Sequence, residues 1–359
     1  MTSTICGPRE GEPTHLPWRD DLDETLVCVD VTQVTHDVRT FVLRSSEPAA
    51  YRFQPGQHLT LTAQVDGEPV PRCYTIASSP RDPDALSITV KRVSGGVVSN
   101  WLHDHLRVGD PVAVDGPHGG FSTAHHPAGR YLFLSAGSGI TPLMSMLRTI
   151  HADHEPVDVV FVHHARTPAD IIFRDELRQI EAEHSGVRVV VVCEGDAERE
   201  SWLGLRGRVT LAMLHEVAPD LVEREVFTCG PAPYMETVRE LLGHAGADPA
   251  RCHEESFELG AVTPPLVADS AGATHAVQLR RSGRTIECSE GTTVLAAAAE
   301  AGVTLPSSCQ EGMCGTCKTT LLSGRVQMDH AGGIRPREIA QGKILLCCSK
   351  PGEDLVLDA

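Results

Sequence analysis

The pattern of apolar and polar positions changes along the chain and predicts three folded units. Between residues 23 and 125, short runs such as TFVLRS, HLTLTAQV and ALSITVKRV alternate apolar and polar residues and are separated by Gly, Pro and Asp. Such alternation, rich in β-branched residues, is typical of antiparallel strands. We therefore predict an antiparallel β-barrel domain over residues 23–125, preceded by a flexible polar tail over residues 1–22.

The second unit, residues 126–257, combines apolar strands with amphipathic helices. The runs RYLFLSAG, VDVVFVHHA, VRVVVVCEG and EVFTCG alternate with the helical stretches TPLMSMLRTIHAD, FRDELRQIEAEH and PYMETVRELLGHAG. This alternation is typical of βαβ units, which build a parallel sheet. The pattern predicts an α/β domain that binds its ligand at the carboxyl ends of the strands.

The third unit follows a stretch without periodicity. Residues 258–275, ELGAVTPPLVADSAGATH, are rich in Ala, Pro, Gly and Thr, and we predict a linker there. Residues 276–359 contain short strands, one helix in TTVLAAAAEAG and, after residue 308, five of the chain's twelve cysteines. With no secretion signal, such crowding indicates a metal or redox site rather than a disulfide framework.

Composition excludes several functional classes. The chain has 48 acidic and 31 basic residues, a net charge of −17, which disfavours general binding to the nucleic-acid backbone. No apolar run approaches the ~20 residues of a membrane-spanning helix, and the N-terminus, MTSTICGPREGEP, lacks the features of a signal peptide. We therefore expect a cytoplasmic monomer with no nucleic-acid or membrane partner.

The crowded cysteines have the spacing of an iron–sulfur centre. Cys309, Cys314 and Cys317 form a C-x4-C-x2-C motif in SSCQEGMCGTCKT, and Cys347 follows after 29 intervening residues. This is the plant-type [2Fe–2S] spacing, whereas structural zinc sites usually have two C-x2-C pairs. We predict these four thiolates as metal ligands. Cys348 is adjacent to Cys347 on a strand, points to the opposite face and is predicted to pack in the core.

Residues 276–359 thereby resemble a plant-type ferredoxin, and the resemblance implies an α+β fold of the β-grasp type. Gly312 and Gly315 let the backbone approach the cluster and direct N–H groups at its sulfurs. The segment has nine acidic and nine basic residues, so the whole acidic excess lies in the first two units. A neutral ferredoxin domain predicts that docking of its partner depends weakly on salt.

The barrel segment carries a second group of candidate residues, in RCYTIASSP and KRVSGGVVSNWL. Arg72 offers a fork for a phosphate, Tyr74 a ring that can cover a flavin, and Thr75 a hydroxyl donor. Gly96 and Ser99 lie where a turn enters a helix, whose N-terminus can hold a pyrophosphate. The alternative at this point is an ordinary hairpin turn, with Ser99 as the cap of the helix.

The two motifs resemble those of the ferredoxin–NADP⁺ reductase family, whose flavin domain carries R-x-Y-[ST] and G-x-x-[ST]. The resemblance implies that Arg72 and Ser99 contact the pyrophosphate of the flavin. It also implies that Tyr74 stacks on the isoalloxazine and that Thr75 reaches its N5 edge. RCYTIASSP is similar to the FAD branch of the family, so we expect FAD rather than FMN.

Two strand–helix turns of the second unit are candidate dinucleotide sites. One strand runs into the turn GSGITP, and a later one into CGP. Glycines permit close approach of the backbone, and a helix N-terminus favours phosphate, although simple turns share this pattern. The candidate residues in these turns are Gly137, Gly139, Thr141, Cys229, Gly230 and Pro231.

The family resemblance implies that Cys229 and Thr141 lie beside the nicotinamide carbon that gives up hydride, and that Glu255 and Phe257 close the domain. Glu194 follows the third strand, where NADPH-using relatives hold the 2′-phosphate. A carboxylate repels a phosphate and accepts a hydrogen bond from a free ribose hydroxyl, so we predict NADH as the donor. Three arginines that follow would favour NADPH instead: Arg199, Arg206 and Arg208.

Two histidine pairs, His125–His126 and His163–His164, were weighed as metal ligands. Neighbours in sequence rarely converge on one ion, and the sequence shows no third ligand. We expect these four residues to be surface or core residues.

The domain order resembles that of reductase components of Rieske-type oxygenases and of the NADH oxidoreductases of hybrid-cluster proteins. It implies an oxidoreductase that passes electrons from NADH through FAD and a [2Fe–2S] cluster to a metalloprotein. The partner is expected to be a Rieske-type oxygenase or, alternatively, a hybrid-cluster protein. A non-enzymatic zinc- or redox-sensing module is the hypothesis from a different class, and it would lack flavin absorption.

Overall fold

The structure of the chain is a computed structural model, which describes residues 16–257, 273–303, 305–307, 310, 312 and 315–359. Cys309, Cys314 and most of the predicted linker lie outside the described residues. The described chain forms an antiparallel barrel, a parallel α/β sheet and a small mixed sheet, in that order. The multidomain fold class predicted from the sequence is therefore confirmed.

The first domain is an antiparallel barrel. Its elements are β1 (Trp18–Arg19), β2 (Glu24–Thr35), β3 (Val38–Arg44), β4 (Ala50–Tyr51), β5 (His58–Val65), β6 (Glu68–Thr75), β7 (Leu86–Lys91), α1 (Val97–His105) and β8 (Pro111–His118). Six strands pair in the order β6-β5-β8-β2-β3-β7, and an antiparallel bridge between Ile76 and Ile88 joins the two ends. The inward residues Leu59, Leu61 and Ala63 of β5 are fully buried in the barrel core.

Part of the predicted tail belongs to this barrel. Strand β1 pairs in parallel with β4, and Leu22 is 1 % exposed in the barrel core. The backbone N–H of Leu22 donates to the carbonyl of Gly116 at 2.9 Å. The predicted tail boundary at residue 22 is wrong because one apolar side chain among polar neighbours carries no periodicity, although it fills a core position.

The second domain is a parallel sheet flanked by helices. Its elements are β9 (Arg130–Ala136), α2 (Ile140–Asp153), β10 (Asp158–Ala165), α3 (Arg174–Glu183), β11 (Val187–Cys193), β12 (Leu205–Arg206), α4 (Leu211–Val217), β13 (Glu225–Cys229), α5 (Ala232–Ala245) and β14 (Cys252–Glu255). The strand order is β12-β11-β10-β9-β13-β14, and every pairing is parallel. The order reverses between β9 and β13, so the loops after these two strands form the crevice where such sheets bind ligands.

The third domain is a mixed sheet with two short helices packed on it. Its elements are β15 (Thr274–Leu279), β16 (Arg284–Ser289), α6 (Val294–Glu300), β17 (Lys318–Ser323), β18 (Val326–Met328), α7 (Pro336–Ala340), β19 (Lys343–Leu345), β20 (Ser349–Pro351) and β21 (Leu355–Leu357). Five strands pair in the order β16-β15-β21-β17-β19. Thr293 caps α6 by accepting the N–H of Ala296, and the buried side of this helix packs into the domain core.

Strand β15 begins inside the predicted 258–275 linker. Thr274 pairs with Ser289 of β16, so the ladder extends two residues further toward the N-terminus than the linker boundary allows. This boundary is wrong because pairing with a neighbouring strand, rather than local composition, decides where β15 begins.

The longest helices of the described chain, α2 and α5, have 14 residues each. None of its helices combines the length and the apolar character that crossing a bilayer requires.

Candidate functional site

A cavity of about 660 Å³ lies between the barrel and the parallel sheet. The loops at the reversal of strand order form one wall, and β6 and the start of α1 form the other. Eleven residues singled out from the sequence line it: Arg72, Tyr74, Thr75, Gly96, Ser99, Gly139, Thr141, Gly230, Pro231, Glu255 and Phe257. Gly137, Cys229 and Glu194 do not line it. The fold therefore brings the two predicted groups of residues into a single site.

The barrel wall of the cavity offers unsatisfied polar groups to a ligand. Thr75 is 4 % exposed, and its Oγ1 has no hydrogen-bond partner in the described structure. A buried hydroxyl of this kind is normally paired, so a polar ligand edge would fit beside it. Burial raises the pKa of the neighbouring Tyr74 phenol, which therefore stays protonated and neutral. These features fit a flavin ring placed against β6.

The turn into α1 forms a cradle that a side chain would fill. Gly95 has a φ of +73°, and a Cβ on Gly96 would lie 2.5 Å from the Oγ of Ser99. Gly96 is the N-cap of α1, and no side chain caps the helix. Ser99 instead accepts the N–H of Val93 at 3.3 Å, so Ser99 is not the cap. The helix N-terminus faces the cavity and suits an anionic group such as a pyrophosphate.

The opposite wall is built by two loops in close contact. A Cβ on Gly139 would lie 2.3 Å from the carbonyl oxygen of Cys229 and 2.6 Å from the nitrogen of Gly230. The Oγ1 of Thr141 donates to the carbonyl of Ser138 at 3.1 Å, which fixes the first turn of α2. Only glycine at position 139 lets the two loops meet at the reversal of strand order.

Cys229 lies directly behind this contact. Its side chain is fully buried, and burial raises the pKa of its thiol well above the usual value, helped by the nearby Glu255 carboxylate. The thiol is therefore neutral near pH 7. A neutral thiol adds no charge beside a nicotinamide ring.

The polar side chains of His58 and Glu255 also face the cavity. His58 lies opposite Thr75 in the β5–β6 pairing, and its Nδ1 is 3.7 Å from Oε1 of Glu255. His58 Nε2 and Glu255 Oε2 are buried without a partner in the described structure. The family motif points to Glu255, whereas no sequence signal distinguishes His58 from other buried histidines.

The described part of the cysteine motif brings two sulfurs together. The Sγ atoms of Cys317 and Cys347 are 3.2 Å apart, and the two residues are 5 % and 8 % exposed. Two adjacent sulfurs in a dry site suit a metal centre. Cys348 is half-buried against the domain core. Gly312 has a φ of +71°, and a Cβ there would lie 2.9 Å from the Sγ of Cys348.

Comparisons with known proteins agree with this geometry. Family models match in three consecutive segments: an oxidoreductase FAD-binding domain over residues 25–123, an oxidoreductase NAD-binding domain over 133–240, and a 2Fe-2S iron-sulfur cluster binding domain over 277–352. The solved structure of phthalate dioxygenase reductase has a TM-score of 0.58 at 27 % identity, with 94 % of this chain and 98 % of that chain covered.

Curated relatives match over nearly the full length. The glycine betaine monooxygenase reductase subunit of Pseudomonas aeruginosa is 46 % identical over 343 residues, 92 % of this chain and 94 % of the relative. The stachydrine N-demethylase reductase subunit of Rhizobium meliloti is 43 % identical, with 93 % and 95 % covered. NADH oxidoreductase HCR of Escherichia coli is 33 % identical, with 96 % and 99 % covered.

The chain is a ferredoxin–NADP⁺ reductase family member with a fused [2Fe–2S] ferredoxin domain. The reductase transfers electrons from NADH through FAD to its iron–sulfur centre. When bound, FAD accepts two electrons as hydride and passes them on singly. The residues of β6 and of the loops after β9 and β13 line the cavity in which these groups would be held.

The segment after β11, where the sequence predicts selection between NADH and NADPH, contains a second acid, Asp196, beside its arginines. Glu194 follows β11, and its Oε1 is 3.7 Å from Nε of Arg208, with both side chains more than half exposed. Arg206 is bound by Asp196, with an N–O distance of 2.5 Å. Two of the arginines that would favour NADPH therefore already have a carboxylate beside them.

We expect the reductase to prefer NADH over NADPH by at least about tenfold in kcat/KM, because a 2′-phosphate would be repelled by Glu194. Steady-state kinetics with both nucleotides check this. Glu194→Gln should lower the ratio of kcat/KM for NADH to kcat/KM for NADPH, because it removes the charge that repels the 2′-phosphate. A preference of the unmodified reductase for NADPH would show that the arginines dominate.

One member of the first histidine pair, His126, does lie near two other candidate metal ligands. His126, Glu225 and His253 have ligand atoms within 4.8 Å of one another. The rings of His126 and His253, however, are stacked at 3.6 Å with planes inclined by 25°. A zinc ion bound by both histidines must lie in the plane of each ring, at about 2.0–2.1 Å from each ligating nitrogen. Because the two ring planes are nearly parallel, they do not intersect at such a position. Glu225 is held by His253 and Arg251 at 2.7 and 3.3 Å.

The other pair lies in the core of the reductase. His163 is fully buried, and its Nδ1 is 2.8 Å from the Oγ of Ser135. Burial lowers the pKa of His163 to about 3 and that of His164 to about 4. Both rings are therefore neutral packing residues at physiological pH.

Proposed function

We propose that the reductase supplies electrons to a Rieske-type oxygenase that removes a methyl group from a quaternary amine. The observation that carries the proposal is the similarity of all three domains, at 46 % and 43 % identity, to reductase subunits named for glycine betaine and stachydrine. Both of these compounds are N-methylated quaternary amines. The relative named NADH oxidoreductase HCR is less similar, at 33 % identity.

Within the reductase we propose a role for each wall of the cavity. Tyr74 covers the isoalloxazine, and Thr75 donates a hydrogen bond to its N5 edge. Arg72 and the N-terminus of α1, with Ser99, hold the pyrophosphate. The absence of a hydrogen-bond partner for the buried Thr75 hydroxyl supports this arrangement.

The nicotinamide is proposed to enter at the opposite wall. Gly139 and Gly230 let the backbone approach the ring, and Thr141 and Cys229 flank the carbon that gives up hydride. Their position at the reversal of strand order supports this assignment. Cys317 and Cys347, whose sulfurs are adjacent, are proposed to ligate the cluster together with Cys309 and Cys314.

The test combines the holo-reductase, NADH, oxygen and glycine betaine with the oxygenase subunit of glycine betaine monooxygenase. We expect one formaldehyde to be released for each NADH oxidised. One oxygen atom of O₂ leaves in formaldehyde, and the other is reduced to water by the two electrons. Formaldehyde and NADH are measured in the same reaction.

Two controls make the result decisive. A reaction without the reductase measures background, and a reaction with hybrid-cluster protein as the acceptor tests the alternative partner. Coupled demethylation supports the proposal. Efficient reduction of hybrid-cluster protein without coupled demethylation would overturn it in favour of that alternative.

A further inference from the structure

The ferredoxin domain meets the barrel at two glycines. Gly119, just after β8, and Gly332 both have a φ of +96°, and a Cβ on Gly332 would lie 3.4 Å from backbone atoms of Gly119. A Cβ on Gly119 would in turn lie 3.0 Å from Nδ1 of His58, which lines the cavity. The N–H of Gly333 donates to the carbonyl of Gly312 in the cysteine loop at 2.8 Å. A short series of contacts thus joins the cavity to the cluster loop.

Beside this contact, barrel acids pair with ferredoxin-domain bases in what we call the docking cluster. Asp115 Oδ1 lies 2.6 Å from Nη2 of Arg335, and Asp115 Oδ2 lies 3.1 Å from Nζ of Lys318. Asp21 Oδ1 lies 2.7 Å from Nη1 of Arg335, and the other carboxylate oxygen contacts Arg337. Asp115 therefore binds two cations of the other domain at once.

The ferredoxin side of the docking cluster is assembled independently of the barrel. Glu338 accepts from Lys318 at 2.8 Å and from the backbone N–H of Arg335 at 3.0 Å. The side chains of Lys318 and Arg335 are only 13 % and 14 % exposed, whereas that of Asp115 is 32 % exposed. Removing the charge of Asp115 would leave these internal pairs in place and weaken the attachment between domains, together with one contact inside the barrel, that of Asp115 Oδ2 with Nε2 of the buried His118 at 3.2 Å.

The expectation drawn from net charge concerned docking of the partner protein, and the contact with the barrel is a separate one. The ferredoxin domain is neutral in total, but three of its nine basic residues face barrel acids. The net charge of the domain does not show that these three basic residues face barrel acids. Docking on the barrel is therefore charge-dependent, whatever the total charge of the domain.

We propose that Asp115 is the positioning residue that docks the ferredoxin domain on the barrel for electron transfer from the flavin site to the cluster. Single exposed ion pairs contribute little, but a carboxylate shared by two largely buried cations is a stronger restraint. The docking cluster lies outside the hydrophobic cores of both domains, so its loss separates the domains rather than unfolding them. Added salt also favours separation of the domains, because it screens the attraction between the opposite charges of the docking cluster.

The test uses the holo-reductase and its Asp115→Asn variant, which removes the charge and keeps the side-chain size. By small-angle scattering at low salt, we expect the variant to have a larger radius of gyration than the wild type. The wild type should approach the same value at about 0.5 M salt. In anaerobic stopped-flow, flavin reduction by NADH should stay within about twofold of wild type. Reduction of the cluster should slow by at least about tenfold.

Three further variants separate docking from general damage. Arg335→Gln, on the other side of the ion pair, should reproduce the effects of Asp115→Asn, and Asp115→Glu, which keeps the charge, should restore the wild-type radius. Asp66→Asn removes an exposed acid in the turn between β5 and β6, outside the docking cluster, and should change neither measurement.

Two outcomes would overturn the proposal. One is a wild-type radius of gyration and wild-type cluster reduction in both Asp115→Asn and Arg335→Gln. The other is a parallel loss of flavin reduction, which would mean that Asp115 acts on the flavin site. Neither measurement uses an oxygenase, so failure of the proposed partner assay would leave this result unaffected.

Discussion

Cys347→Ser is expected to remove the [2Fe–2S] centre while leaving the flavin bound. The substitution takes away one of two sulfurs that lie 3.2 Å apart in the core of the ferredoxin domain. The cavity residues belong to the other two domains, so NADH-dependent reduction of ferricyanide should persist at about half the wild-type rate or more. Iron analysis, flavin analysis and partner-coupled turnover measure the effect, and partner turnover should fall to background.

Cys348→Ser is the matched control. It changes the neighbouring residue in the same way. The Cys348 side chain packs against the domain core and hydrogen-bonds that of Cys347, but it is not predicted as a ligand, so the variant should keep the cluster in place. Unchanged iron content in Cys347→Ser, or loss of iron in Cys348→Ser alone, would reverse the assignment of the fourth ligand.

Gly139→Ala is expected to impair reduction of the flavin by NADH by about 100-fold, since misplacing reacting groups by about 1 Å can have an effect of this size. The added Cβ would lie 2.3 Å from the Cys229 carbonyl oxygen, and it therefore forces apart the loops after β9 and β13. Stopped-flow reduction of the bound flavin measures the rate. The flavin spectrum should change little, because the cradle at Gly96 and Ser99 is in the barrel.

Gly129→Ala provides the comparison for this substitution. A Cβ on Gly129 would meet no atom within 4 Å, and this residue precedes β9 at the opposite end of the strand. Its flavin reduction should stay within about twofold of wild type. If the flavin of Gly139→Ala is reduced as fast as the flavin of Gly129→Ala, the loops after β9 and β13 do not form the nicotinamide site.

Much of the architecture could be predicted because its signals are local. The apolar alternation of the barrel strands and the strand–helix order of the second domain repeat over a few residues, and backbone periodicity turns such repeats directly into elements. The C-x4-C-x2-C spacing is equally local, since a single loop must bring three sulfurs to one cluster. The turns at Gly96 and Gly139 require a residue without a Cβ, and the sequence has glycine at both positions.

Other parts of the site depend on residues that are distant in the chain. His58 and Glu255 face the same cavity although 197 positions separate them, and His58 belongs to no motif. Leu22 stands in a polar stretch of sequence, yet the barrel buries it. Each of these side chains acquires its surroundings only when separate elements pack together, and periodicity carries no information about such packing.

The sequence was sufficient to predict the three cofactor-binding units, their order and about half of the residues that line the cavity. The tertiary structure decided how the units meet. Arg335 reaches Asp115 across 220 positions and Asp21 across 314, so their ion pairs exist only after the barrel and the ferredoxin domain have folded and docked. Composition could report that the ferredoxin domain is neutral but not that its cations face the barrel, because electrostatic energy depends on the distances between charges and not on their sum.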